Sequence, residues 1–181
     1  LFTVKESELS HLLEVNYATC EDKARPVLKG IEIKNNRFIA VNGYYSSIRE
    51  GNFNCNERLL ISQDIWKTLL KTLNKKSDNI VKVFWDKKLS VKFEFKDFTV
   101  KGELYGNHLL NVEKIITKNN TTEVILKADK VIESLKLMDK LTKEKQMVLL
   151  LFKDKTLEIK TKTDMNIMTD EIEISKTGED V

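Results

Sequence analysis

The spacing of apolar residues along this chain changes period three times, each time in the same order. Residues 2–5, Phe-Thr-Val-Lys, alternate with the two-residue period of a half-buried strand. Over 6–19 the spacing turns helical, with Leu9, Leu12, Leu13 and Tyr17 on one face. Strand-like runs follow at 31–34, 38–41 and 45–49. Ile31 and Ile33 alternate with Glu32 and Lys34, as in a strand with one wet face, and Asn35-Asn36 can close a hairpin because both tolerate left-handed backbone. Pro26, the only proline, fits just ahead of a strand, where no ladder N–H is needed. The order recurs as a strand at 59–61, a helix over 64–73 with Ile65, Trp66, Leu69, Leu70 and Leu73 apolar, and strands at 80–85, 89–95 and 98–104. It recurs again as a strand at 123–126, a helix over 129–142 with Val131, Ile132, Leu135 and Met138 apolar, and strands at 147–152, 157–161 and 168–174.

The strand-to-helix junctions superpose as Val4 to Leu9, Ile61 to Trp66 and Leu126 to Val131, with Ser7, Asp64 and Asp129 at one shared N-cap position. This is a β-α-β-β-β unit used three times. Such a unit has a helix and a small sheet, each with one face to bury, so it is marginal alone and stable as a pair. The predicted fold class is therefore α+β, with repeated β-α-β-β-β units and helices packed on a continuous antiparallel sheet. Residues 1–114 are expected to form one complete domain of two units, and 115–181 the first half of a following one. The chain opens at Leu1 and closes just after a strand-like run, which reads as part of a longer protein. The half-domain is expected to leave an open edge and core, and a symmetric dimer would supply their cover.

The stretch RPVLKGIEIKNNRFIAVNGYYSS resembles a segment of the bacterial sliding clamps, the DNA polymerase III beta subunits. That family's pattern reads R-P-x-L-x-G-(V/I)-x-F/I, then L-x-x-V-A-T-D-G-x-R-L-A. The segment belongs to the second of three clamp domains, and the match in order and spacing runs to the end of the chain. Asn42 stands where the family has Asp, Tyr45 where it has Arg, and Ser46 where it has Leu. The resemblance implies a DNA-clamp-like fold and a processivity factor that encircles duplex DNA and tethers a polymerase in replication. It also implies a cytoplasmic, non-catalytic subunit of a DNA polymerase III-type holoenzyme that acts as a head-to-tail dimeric ring. The alternative is a divergent clamp-fold interaction module with a degenerate partner pocket and no ring function.

Composition narrows the chemistry only slightly. Net charge is +3 over 181 residues, which is compatible with nucleic acid without pointing to it. Cys20 and Cys55 read as two reduced thiols of a cytosolic protein, and with His11 and His108 they offer no zinc spacing. No phosphate loop or nucleophile motif is present, so no catalytic residue, cofactor or metal is expected. The longest apolar run, 147–152, is far short of a membrane span.

The lysines carry what signal there is, and on residue chemistry alone their stripes read first as ordinary solubilising faces and second as a phosphate-facing surface. Lys67, Lys71 and Lys75 on the second helix, and Lys136, Lys140 and Lys143 on the third, are spaced as stripes opposite the apolar faces. Like charges at that spacing repel, and a phosphate backbone would offset the repulsion. The resemblance places these helices around the central hole of a ring, facing sequence-independent double-stranded DNA. Glu6, Glu8 and Glu14 make the first helix acidic and are expected to weaken contact there.

The resemblance also implies a cleft for peptides of polymerases and the clamp loader. It maps onto Val41, Gly43, Tyr44, Tyr45 and Ser46, onto Leu109 where the family has Pro, and onto Lys114. On residue chemistry alone, Tyr44 and Tyr45 are expected to pack along a strand.

Overall fold

In the computed structural model, residues 1–86, 89–106, 111–114, 122–141, 147–162 and 167–178 are described, and the chain divides into Leu1–Ile115 and Ile116–Val181. In the first unit, β1 (Phe2–Lys5) leads into α1 (Glu6–Leu12) and a 3-10 turn at Leu13–Ala18. A second 3-10 turn, Pro26–Lys29, precedes β2 (Ile31–Lys34), β3 (Arg37–Val41) and β4 (Ser46–Glu50). The order then repeats as β5 (Leu59–Ile61), α2 (Gln63–Thr72), β6 (Ile80–Trp85), β7 (Ser90–Glu94) and β8 (Thr99–Glu103). Asn35 and Asn36 both take positive φ, 48° and 61°, and close the β2–β3 hairpin as their chemistry predicts.

Each repeat gives its first strand to the other. The sheets run β1-β6-β7-β8 and β4-β3-β2-β5, all antiparallel. Val4 lies opposite Val81, and Ile61 opposite Ile31. The expected continuous sheet is instead two four-stranded sheets that meet at an isolated Ile61–Leu104 bridge. The exchange makes neither repeat separable from the other. Inward residues of both sheets and both helices share one core, including Val4, Leu9, Ile33, Phe38, Leu69 and Phe93. Gly102 permits the close seating of α2 on β8: a Cβ there would fall 2.5 Å from Ile65 Cγ1.

Three features depart from the sequence pattern. Tyr17 is 63% exposed rather than inward. After Leu12 the helix tightens to three residues per turn, which aligns Leu12 with buried Val15 and Ala18 and turns Tyr17 outward. Ser7, Asp64 and Asp129 are not N-caps: α1 begins at Glu6 and α2 at Gln63, with Lys5 and Ser62 in the cap positions. The three residues still occupy one equivalent place, the second of the first turn. Finally, Glu32 is 1% exposed, because the outer face of β2 is also covered. Ile39, Val41, Leu60 and Val112 form a second cluster there, joined by Val27 and Leu28 from the turn just before β2 and by Ile48 and Tyr105 from farther along the chain. Arg58 answers the buried carboxylate in two bonds, Nε to Oε1 at 2.6 Å and Nη2 to Oε2 at 3.1 Å.

In the second unit, β9 (Thr122–Ile125) precedes α3 (Ala128–Leu141), β10 (Val148–Phe152), β11 (Thr156–Lys162), β12 (Ile167–Glu173) and β13 (Ser175–Gly178). The strands form a β10-β11-β12 sheet and a β13-β9 ribbon. The core is small, with Met138, Leu157, Ile159 and Ile172 buried. Of the apolar stripe predicted for α3, Met138 is inside, Val131 is half-buried, and Ile132 and Leu135 are exposed. A single three-stranded sheet does not span that face.

Candidate nucleic-acid and partner-peptide surfaces

Helix α2 sorts its residues by the 3.6-residue period. Ile65, Trp66 and Leu69 are buried, which turns Lys67 and Lys71 to solvent. Trp66 is fixed by its Nε1–H, which donates to the Lys29 carbonyl at 2.8 Å, and Lys67 Nζ lies 5.5 Å from the ring centre. Lys75 does not continue the stripe. The helix stops at Thr72, where Leu73 turns extended, and Lys75 lies in the exposed turn that follows.

The cause of the stop is remote. The buried Glu6 carboxylate accepts the Asn74 N–H at 2.7 Å, and Asn74 Oδ1 accepts the Lys76 N–H at 3.1 Å. Lys136 and Lys140 are exposed along α3, whereas Lys143 lies outside the described residues. Lys67, Lys71, Lys75, Lys136 and Lys140 form no ion pair with a carboxylate among the described residues, unlike Lys130, which meets Glu133 at 3.2 Å.

The acidity of α1 is largely engaged within the fold. Glu6 is buried at the end of α2, Glu8 accepts the Asn52 N–H, and Glu14 pairs with Arg49 at 3.0 Å. The charges that sequence alone sets against DNA are thus partly spent on structure. Among the described residues no group of three or more His, Cys, Asp or Glu side chains could hold a metal ion, and no helix is long and apolar enough to cross a membrane.

Val41 and Lys114 come to neighbouring positions. Val41 is buried in the outer cluster with Val112, and Lys114 is exposed in the 3-10 turn Val112–Lys114. The loop beyond Val41 is an Asx turn: Asn42 Oδ1 accepts the N–H groups of Tyr44 at 2.9 Å and Tyr45 at 3.1 Å. Gly43 takes φ +100° there, with the Arg25 guanidinium 3.2 Å from where a Cβ would sit.

The tyrosines do not pack along a strand, since β4 starts only at Ser46. Tyr44 is 94% exposed, and Tyr45 stacks on Tyr17 at 6.4 Å between centroids. Ser46 is exposed, and Leu109 lies outside the described residues. Arg25, Val27, Leu28 and Tyr105 join this surface without having been singled out as site residues. Their one signal is that Arg25 and Leu28 stand at the fixed positions of the R-P-x-L segment.

No family model and no curated protein sequence matches this chain. Among solved structures it is similar to the DNA polymerase sliding clamp of Bacillus subtilis, with a TM-score of 0.88 and 16% identity over 99% of this chain and 50% of that one. It is also similar to the DNA polymerase III subunit beta of Borrelia burgdorferi, solved in complex with a natural product (TM-score 0.87, 14% identity, 99% and 51% covered). The beta subunit of Thermotoga maritima DNA polymerase III matches with TM-score 0.83 and 20% identity, again over 99% and 51%. The chain spans about half the length of these proteins. Strand exchange between β-α-β-β-β repeats, the R-P-x-L segment and these superpositions agree: this chain has the fold of the bacterial sliding clamps, the beta subunits of DNA polymerase III.

Proposed function

We propose that this chain serves in a sliding-clamp-like processivity factor, a ring around duplex DNA that tethers a polymerase and performs no chemistry itself. In this reading 1–114 is a complete clamp domain, 115–181 begins another, and the ring is an oligomer acting in the cytoplasm. One observation carries the reading: α2 and α3 bury an apolar side and present Lys67, Lys71, Lys136 and Lys140 outward with no carboxylate partners among the described residues. Contacts of this kind go to phosphate, carry no sequence information and leave the duplex free to move. The test is the salt dependence of duplex binding by the full chain and by the variant with Lys67→Glu, Lys71→Glu, Lys136→Glu and Lys140→Glu. Each lost phosphate contact lowers the log–log slope by about 0.9. An unchanged slope overturns the assignment.

A second reading, a clamp-fold interaction module with no ring function, is favoured by the pocket residues. Tyr44 is 94% exposed, and Ser46 offers no apolar wall. Calorimetric titration with a clamp-binding peptide separates the two: tight binding lost on Val41→Asp supports a working cleft, and no binding supports the module.

A further inference from the structure

The loop between β3 and β4 holds the groups of a reaction that needs no second molecule but water. Asn42-Gly43 is the only Asn-Gly pair in the sequence. Asn42 is partly exposed and Gly43 exposed, so water reaches both. An asparagine loses its amide when the next backbone nitrogen attacks its side-chain carbonyl, and a following glycine leaves that nitrogen uncrowded.

Three features of this loop match what the attack requires. The first is a free nucleophile. Among the described residues the Gly43 N–H donates no hydrogen bond, although the Asn42 N–H donates to the Tyr45 carbonyl at 3.2 Å. The second is a polarised carbonyl. The Tyr44 and Tyr45 N–H groups donate to Asn42 Oδ1 at 2.9 and 3.1 Å. They face the oxygen on which negative charge collects as Cγ becomes tetrahedral, which is the arrangement of an oxyanion hole. The third is a leaving group that nothing holds: Asn42 Nδ2 donates no hydrogen bond among the described residues. Asn36 and Asn74 also accept backbone N–H bonds on their side-chain oxygens, but Arg37 and Lys75 follow them in place of glycine.

We propose that Asn42 is a site of self-modification, where deamidation places aspartate on the rim of the candidate partner surface. The Gly43 nitrogen bonds to Asn42 Cγ and gives up its proton. The Cγ–Nδ2 bond breaks, and Nδ2 leaves with that proton as ammonia. Water then opens the cyclic imide on either side of its nitrogen. Opening at Cγ leaves aspartate, whose carboxylate accepts the same two N–H bonds, now charge-assisted. Opening at the main-chain carbonyl leaves isoaspartate, which lengthens the backbone by a carbon and breaks the turn. Either product adds a negative charge beside the Arg25 guanidinium, which lies 3.2 Å from where a Gly43 Cβ would sit. The reaction depends on neither reading of the function.

The test incubates the full folded chain beside a synthetic peptide of residues 38–49, both at mildly alkaline pH. The chain is then digested with trypsin at mildly acidic pH, which stops further conversion, and the fragments are read by mass spectrometry. Fragment 38–49 of the chain is expected to gain the mass of the acid and to separate into two isomers, at least as fast as the free peptide. Asn36 and Asn74 are expected to keep their amides. Hydroxylamine, which cleaves the imide, is expected to cut the native chain between Asn42 and Gly43. A chain whose Asn42 keeps its amide after the peptide has converted overturns the proposal, because the loop then protects the residue. Conversion of Asn36 or Asn74 ahead of Asn42, or a native chain that hydroxylamine leaves whole, overturns it equally.

Discussion

Arg58→Met is the most informative single perturbation of the first unit. It removes the guanidinium that holds Glu32 in two hydrogen bonds, and Glu32 is 1% exposed between Ile39 and Leu60 on the neighbouring strands. Removing one member of a buried ion pair destabilises a protein by about 3–5 kcal/mol. The Arg58 side chain is 31% exposed, so water can reach part of the vacated site, and the lower end, about 3 kcal/mol, applies. With a urea m-value of about 1.5 kcal/mol/M, the midpoint falls by about 2 M.

The assay is tryptophan fluorescence during urea unfolding at neutral pH. Trp66 and Trp85, the two tryptophans of the protein, both lie in Leu1–Ile115, so the signal reports that unit alone. The companion variant combines Arg58→Met with Glu32→Leu. It places an apolar side chain beside the cluster of Ile39, Val41 and Leu60, and is expected within about 1 kcal/mol of the parent. If Arg58→Met unfolds at the parent midpoint, or if the double variant is as unstable as the single, Glu32 is not the buried charge described here.

Two further outcomes follow from other titratable groups. Burial pushes the Cys55 thiol up, and the residue is 1% exposed, so iodoacetamide at mildly alkaline pH should label Cys20 first and Cys55 only as the fold opens; prompt labelling of both, read by mass spectrometry, refutes this. The Lys160 ammonium, bonded at 2.8 Å, and then Lys153 at 3.0 Å hold the Glu158 carboxyl below the usual carboxylate range. The stability it lends to β11 is present above the ordinary carboxylate value and lost as pH falls through the lowered one. A carboxyl-carbon titration by NMR should therefore give a depressed midpoint for Glu158 that rises in Lys160→Met, and an unmoved midpoint refutes the pairing.

The fold was legible where the covering element lies close in sequence. Period alone identifies the strand-helix-strand order and the inward places of Leu9, Leu12, Ile65 and Leu69, because each packs on elements of its own repeat or the next. It fails where cover arrives from afar. Glu32 reads as a wet position until Tyr105 and Val112, far along the chain, join the nearby Val27 and Leu28 over the outer face of β2. Lys75 reads as the third member of a helical stripe until Glu6, far back in the chain, takes the Asn74 N–H and ends α2 early. The strand exchange itself leaves no local trace, since β1 alternates in the same way whichever sheet receives it. For the candidate surfaces the division is similar. Outward lysines follow from helix period, so Lys67, Lys71, Lys136 and Lys140 could be named in advance. The apolar cluster beside Val41 could not, because half of it comes from loops whose residues have no period to read. A surface assembled from loops becomes visible in sequence only through a motif, and here the motif carried Arg25 and Leu28 while Tyr105 and Val112 had none to mark them.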